Sequence, residues 1–309
     1  MTQLGRGDLA SRVKATVHGL VDRRHPHDGD RRRVRVIGHR GDPKHAPENT
    51  RRSYESALDR GATAVEVDVC RTKDGRFVLW HDPDPRETIT TLREIGEGLA
   101  YIANEPAIGT SCRKPISELT YEELVTHFGY SKRRNPLMQL VESTSPEIPP
   151  EPLESLLDLV ATDARLRDVY VDIKLREDQV DDARALAALL TDPKFHLLTT
   201  QRELVLAIGP RMTGDFELSG VLDEAKELGL RHVSMGAGQR VWAGFYSELC
   251  DVIDARDRGE LDSVTVWTVN DEKRLRDLAD LGVDGIITDE ITMLCEVLGS
   301  PVAGARRGE

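Results

Sequence analysis

The stretch AVEVDV at residues 64–69 carries two carboxylates, Glu66 and Asp68, between three valines. Alternate side chains of a strand share a face, so Val65, Val67 and Val69 point one way and both acids point the other. Residues two apart along a strand lie roughly 6 to 7 Å from each other, where like charges repel by about 2 to 3 kcal/mol at an effective dielectric near 20. A compensating positive charge is therefore expected between them. The competing reading is an antiparallel strand with one wet face, which alternates in the same way. VYVDIK repeats the pattern, with Asp172 and Lys174 on one face and Val171 and Ile173 on the other. A third carboxylate approaching the first two gives a donor set of oxygen atoms, which suits a hard divalent cation, Mg2+ or Ca2+, better than zinc.

The elements that must carry these residues alternate along the chain. Short β-rich runs, VRVIGH, AVEVDV, FVLWHD, VYVDIK, FHLLTT, RHVSMG, VTVWTVN and DGIITD, are separated by amphipathic stretches such as TRRSYESALDRG, EPLESLLDLVATDARL and EKRLRDLADLGV. This order predicts an α/β chain of parallel strands and crossover helices, a (β/α)8 TIM barrel over residues 34–298 with a short insertion after the third strand at residues 83–115. A doubly wound open sheet is the alternative, and a strand near MTGDF competes with the one at RHVSMG. In a barrel, reactive groups collect at the C-terminal strand ends. Here the first strand ends in His39 and Arg40, the second in Glu66 and Asp68, the third in His81 and Asp82, the fourth in Asp172 and Lys174, and the seventh in Trp267 to Asn270. Residues 1–33 read as an N-terminal helix and linker, and residues 299–309 as a flexible tail.

With 309 residues, 39% of them hydrophobic, the chain has the composition of a globular protein. Its formal charge of -12 gives no broad attraction for nucleic acid or an anionic membrane, so an anionic small molecule would need a local cation. The run Arg31, Arg32, Arg33 and Arg35 reads as a solvated charge cluster. The four cysteines, Cys70, Cys112, Cys250 and Cys295, form no CxxC pair and read as reduced thiols. No apolar run has the length of a transmembrane segment or a signal-peptide core, so a cytoplasmic location is expected. Nothing in the sequence specifies an oligomeric state.

GHRGDPKHAPENT, followed by GATAVEVDVCRTKDGRFVLWHD, resembles the glycerophosphodiester phosphodiesterase family. Further matches are ISELTYEEL, IPPEPLESLL, VYVDIK, VTVWTVN and GVDGIITDE. The resemblance implies a TIM barrel that cleaves glycerophosphodiesters to glycerol 3-phosphate and an alcohol, with a divalent metal and two histidines. Carried over, it makes Glu66, Asp68 and Asp172 the metal ligands and His39 and His81 the acid and base pair. Arg40 and Lys174 would lie near the phosphate, and Glu48 and Asn49 would border the same mouth.

Asp172 departs from the family, which commonly has Glu there, and its shorter side chain is expected to lower the metal in the site, to bind it through water or to loosen its hold. Thr288, Asp289 and Glu290 stand where the motif usually closes on proline, a change expected to affect local backbone geometry. The insertion departs from the family's usual threonine and glycine pattern, so the alcohol moiety is not implied. Trp80 and Tyr101 offer apolar contacts there, or aromatic packing under a loop. Trp267 would pack against the glycerol or an alkyl chain, or belong to the core. Asp82 either orients an imidazole or caps the next loop. His18, His25, His27, His45, His127, His196 and His232 read as structural.

A phosphodiester monoanion repels hydroxide and has a poor leaving group, so its cleavage needs charge neutralisation and two proton transfers. His39 as base and His81 as acid is the expected assignment, with the reverse as its rival. Water and the substrate's own glycerol 2-hydroxyl are the candidate nucleophiles. One rival function is a phospholipase D-like hydrolase of lysophospholipids, which an apolar channel from residues 83 to 115 would favour. A metal-independent two-histidine lyase would leave three carboxylates without a cation. A catalytically silent phosphodiester-binding barrel would be expected to have lost a histidine or a ligand.

Overall fold

The computed structural model describes residues 34–87, 99–132, 146–175, 179–190, 203–205, 231–237 and 242–299. The expected N-terminal helix and linker, the FHLLTT strand, its neighbour candidate MTGDF and tail residues 300–309 lie outside them.

Strand β1 (Arg35–Gly38) leads through a loop to helix α1 (Arg51–Asp59) and then to β2 (Ala64–Arg71). After β3 (Phe77–Leu79) come β4 (Tyr101–Asn104), α2 (Tyr121–His127) and β5 (Gly129–Lys132). The chain continues with β6 (Glu151–Pro152), α3 (Leu153–Thr162), β7 (Asp168–Ile173), α4 (Val180–Leu190) and β8 (Glu203–Val205). The last elements are β9 (His232–Gly236), α5 (Trp242–Asp257), β10 (Ser263–Trp267), α6 (Glu272–Leu281), β11 (Gly285–Thr288) and α7 (Ile291–Val297).

Neighbouring strands run β8-β7-β2-β1-β11-β10-β9, every pair parallel. The first strand thus lies beside the last, and the order winds in one direction, as in the TIM-barrel fold. A doubly wound sheet would reverse direction at a switch point. FVLWHD does not supply a barrel strand. β3 is antiparallel to β2, because the link at residues 72–76 is far shorter than the roughly dozen residues a parallel crossover needs. Among the described residues the third parallel strand in chain order is β7, and the insertion springs from a hairpin arm at the rim. β4, inside the expected insertion, pairs antiparallel with β5, which follows it, in a separate small sheet.

The alternation read in AVEVDV sorts side chains into two layers. Val65, Val67 and Val69 belong to the main apolar core with Leu156, Leu157 and Val160 of α3. Ile37, Ala64, Tyr170 and Ile287 form a separate buried cluster inside the sheet's curve. A third cluster lies under the insertion, where the Trp80 ring stands edge-on to Phe128 at 6.0 Å and 5.1 Å from Tyr130. Trp80 is therefore core, and Tyr101 packs against the same cluster. Among the described residues no helix is long and apolar enough to cross a membrane.

The loop between β1 and α1 is pinned at both ends. Thr50 caps α1, its side chain accepting from the Ser53 amide. Ser53 Oγ in turn donates to the Arg40 carbonyl at 3.0 Å and accepts from the Asp42 amide at 2.7 Å. Gly41 has φ of +90°, and a Cβ there would fall 2.4 Å from Ser53 Oγ and 2.6 Å from its carbonyl carbon. Glycine is the residue that admits both this backbone and this approach. Gly41→Ala is expected to lower stability by at least about 1–3 kcal/mol, the usual scale of stored backbone strain, read from urea unfolding midpoints; an unchanged midpoint would contradict the close approach.

Candidate active site

Parallel pairing aligns Asp68 with Asp172 across β2 and β7, so these side chains leave the sheet on one face. Glu66 joins them from one pleat earlier. A carboxylate oxygen from each of Glu66, Asp68 and Asp172 lies within 4.8 Å of the others. The expected positive charge is present twice. Lys174 Nζ donates to Asp172 Oδ2 at 2.8 Å and lies 3.2 Å from Asp68 Oδ1. Arg40 Nε lies 3.2 Å from Asp68 Oδ2, and the Arg40 amide donates to Glu66 Oε2 at 3.0 Å.

These neighbours divide the three acids. Burial, reinforced by Asp68, pushes the Glu66 carboxyl well above the usual carboxylate range. Burial acts on Asp68 in the same sense, but Lys174, His81 and Arg40 outweigh it and hold that carboxyl below its ordinary value. Lys174 loses hydration by burial, yet Asp172 and Asp68 keep its ammonium above its ordinary range.

Glu48 and Asn49, which the resemblance sets at the mouth, are buried behind it. Glu48 is buried and accepts from Arg40 Nη1 at 2.8 Å. Asn49 is fully buried, its Nδ2 donating to Asp68 Oδ2 at 2.8 Å and its Oδ1 accepting from the Asp68 amide at 3.1 Å. Tyr54 Oη also reaches Asn49 Oδ1, at 3.3 Å. Glu48 thus holds Arg40, and Asn49 holds Asp68. Asn49 does so from a left-handed backbone with φ of +55°, and Arg40 shares that region at +53°, a conformation asparagine tolerates better than most residues.

Each histidine at a strand end is tethered through Nδ1 to a carboxylate. His39 Nδ1 lies 2.8 Å from Asp289 Oδ1, and His81 Nδ1 lies 2.8 Å from Asp82 Oδ1. With an acceptor at Nδ1 the proton sits there, and Nε2 is the ring atom that faces elsewhere. Asp82 is thereby placed to orient the imidazole, one of the two roles open to it. Asp289 was not foreseen as a partner of His39, 250 positions away; its only signal was a place at the last strand end. Burial raises the Asp289 carboxyl, but His39 and a hydrogen bond from Asn270 bring it below its ordinary value. His45 and His232 are engaged with Asp42 and Ser263, as expected of structural histidines. Trp267 ends β10 with 39% of its surface exposed, its ring against Gly236.

The donor set fits a hard dication. Its oxygens are close enough for one ion to bridge, and two nearby cations leave the Glu66 carboxyl still raised. The Asp172 side chain, 38% exposed, is the carboxylate most open to the mouth.

Fold and cluster together define a parallel α/β barrel with an acidic cluster at its strand ends. The profile of the glycerophosphoryl diester phosphodiesterase family matches residues 39–195, and a second profile of the same description matches residues 263–292. A glycerophosphodiester phosphodiesterase of Bacillus altitudinis is 25% identical over 268 residues, covering 83% of this chain and 94% of its own. A crystal structure of a glycerophosphodiester phosphodiesterase from Parabacteroides distasonis superposes with a TM-score of 0.58 at 23% identity, covering 86% of this chain and 97% of that one. An Oleispira antarctica phosphodiesterase, solved in complex with the product sn-glycerol-3-phosphate, gives a TM-score of 0.54 at 16% identity over 86% of this chain and 97% of its own. The chain belongs to the glycerophosphoryl diester phosphodiesterase family and is a phosphoric diester hydrolase.

Asn49→Gly keeps the left-handed backbone and removes the clamp on Asp68. It is expected to weaken binding of Mg2+ or Ca2+ about 10- to 100-fold, the usual cost of losing a residue that orients a ligand, as titration calorimetry would measure. Unaltered affinity would contradict the clamp.

Proposed function

We propose that this chain hydrolyses glycerophosphodiesters to glycerol 3-phosphate and an alcohol, using a divalent cation, Mg2+ or Ca2+, held by Glu66, Asp68 and Asp172. The observation that carries this reading is the gathering of three carboxylate oxygens within 4.8 Å on the same barrel face as Lys174 and Arg40. The product named for the Oleispira antarctica phosphodiesterase supports glycerol 3-phosphate as the phosphate product.

When bound, the cation would polarise a nonbridging phosphate oxygen and neutralise the acids. The chain's own groups do the rest. Lys174, partly exposed beside Asp172, opposes the negative charge that grows at phosphorus. Arg40, which the resemblance sets near the phosphate, is buried between Glu48 and Asp68 and in this reading acts by holding the Asp68 charge and the Glu66 oxygen in place. His39, its Nδ1 against Asp289, takes a proton at Nε2 from the nucleophile, which is water, or the glycerol 2-hydroxyl with water then opening the cyclic phosphate. His81, its Nδ1 against Asp82, gives a proton from Nε2 to the departing alkoxide. The two carboxylates stabilise the imidazolium forms without themselves gaining a proton. Trp267 offers an exposed apolar surface to the glycerol or to an alkyl substituent.

Chelation with EDTA is expected to abolish release of glycerol 3-phosphate and Mg2+ or Ca2+ to restore it; turnover indifferent to chelation would remove the cation from the reading, and turnover on acylated lysophospholipids alone would replace the substrate. His39→Ala and His81→Ala are each expected to lose about 10²- to 10⁴-fold in kcat on an alkyl diester. A p-nitrophenyl leaving group needs no proton, so it should rescue His81→Ala and not His39→Ala. Rescue of His39→Ala instead would exchange the two roles.

A further inference from the structure

Asn270 lies beyond the end of β10 and spends its whole amide on the end of β11. Its Nδ2 donates to Asp289 Oδ2 at 2.6 Å, and its Oδ1 accepts from the Asp289 amide at 2.9 Å and from Thr288 Oγ1 at 3.0 Å. Asp289 Oδ1 meets His39 Nδ1 at 2.8 Å. Each oxygen of the Asp289 carboxylate therefore has a separate partner, and rotating the group would break one contact or the other. The line Asn270, Asp289, His39 joins the ends of β10, β11 and β1.

The surrounding turn is built from side-chain contacts. The Glu290 amide donates to Thr288 Oγ1 at 2.9 Å, and Glu290 pairs with Lys44 of the loop after β1. Proline, which usually closes this motif in the family, is absent, so hydrogen bonds and this ion pair shape the turn. The charged groups around Asp289 are His39, Arg40 on the β1 side, and the neighbouring Glu290 with Lys44.

We propose that Asn270 is a positioning residue for His39: through Asp289 it fixes the imidazole with Nδ1 protonated and Nε2 directed at the phosphate, although it touches no reacting atom itself. This rests on the role given to His39 above. A residue that merely staples two strand ends would make the same contacts, and the two roles differ in what its loss changes.

The test uses the full chain with Asn270→Ala, Asn270→Asp and His39→Ala. It reads kcat and KM on a glycerophosphodiester across pH, urea midpoints, and the low-field proton resonance of a carboxylate-bound imidazole N–H that disappears in His39→Ala. Asn270→Ala is expected to cut kcat about 10- to 100-fold, the scale of a small misplacement of a reacting group. KM should hold within about twofold and the low-field resonance should be lost. In Asn270→Asp two carboxyls in contact share a proton to higher pH than either would alone. The introduced carboxyl donates to Asp289 while it keeps that proton and repels Asp289 once it is lost. Activity relative to the parent should accordingly approach parity at acid pH and fall as pH rises.

An Asn270→Ala protein with near-parental kcat and an unmoved resonance overturns the inference. So does a kcat loss that merely tracks a lowered urea midpoint, with Asn270→Asp parallel to the parent at every pH. If His39→Ala keeps full turnover, the proton-transfer role of His39 falls and the inference falls with it; an inactive His39→Ala beside a fully active Asn270→Ala defeats the inference alone.

Discussion

The Asp68 carboxylate is the point on which the rest of the structure turns. It is buried on the inward face of β2, with Glu66 and Asp172 sharing its space, and like charges so placed repel strongly. The fold holds them with Lys174 on one oxygen, Arg40 and Asn49 on the other, and the Asp68 amide tied back to Asn49. Removing any of these contacts from a buried charge costs more than the contact's net worth, because desolvation is then uncompensated. The surrounding loops are thereby committed to one arrangement, and that arrangement leaves acidic oxygens gathered at the barrel mouth.

Backbone strain follows from the same demand. Arg40 must send its amide to Glu66 and its guanidinium to Glu48 and Asp68, and it does so at φ of +53°. Asn49 turns back on Asp68 at +55°, and its amide bonds the Arg40 carbonyl at 3.0 Å. Such conformations persist only where the surroundings over-determine them, and here Ser53, Thr50 and Tyr54 of the first helix and its cap supply that support. The two histidines are held by a simpler device, one carboxylate each. For His81 the carboxylate is the next residue, whereas for His39 it is Asp289, 250 positions away in sequence and at the end of the neighbouring strand. That link joins the first and last strands through side chains as well as through the sheet.

Much of this was legible because its information is local. The period-2 alternation in AVEVDV and VYVDIK assigned each carboxylate and valine to a face, and parallel register did the rest. The direction of FVL was not visible in its hydrophobicity, which reads the same for a parallel and an antiparallel strand; the short TKDG link carried that information instead. Glu48 and Asn49 were recognised as belonging to the site, but a motif does not tell a residue that faces the ligand from one that stands behind it. Burial decides that, and burial is a property of the whole loop. The contacts of Asn270 and Asp289 with each other and with His39 span 19 and 250 positions, distances at which no pattern in a single sequence reports a pairing. The stretch Thr288 to Glu290, read for its backbone alone, also contains the carboxylate that tethers His39.

Three acids of the barrel interior, brought together despite their charge, are in this account the cradle of one hard cation. The most direct measurement is a crystal structure of the protein equilibrated with Mn2+ as an anomalously scattering stand-in for Mg2+. One anomalous peak is expected among Glu66, Asp68 and Asp172, with oxygen distances of roughly 2.0–2.6 Å, the range for hard cations. A saturated crystal with no peak there, or with its ion held elsewhere while Lys174 remains locked between Asp68 and Asp172, would contradict it.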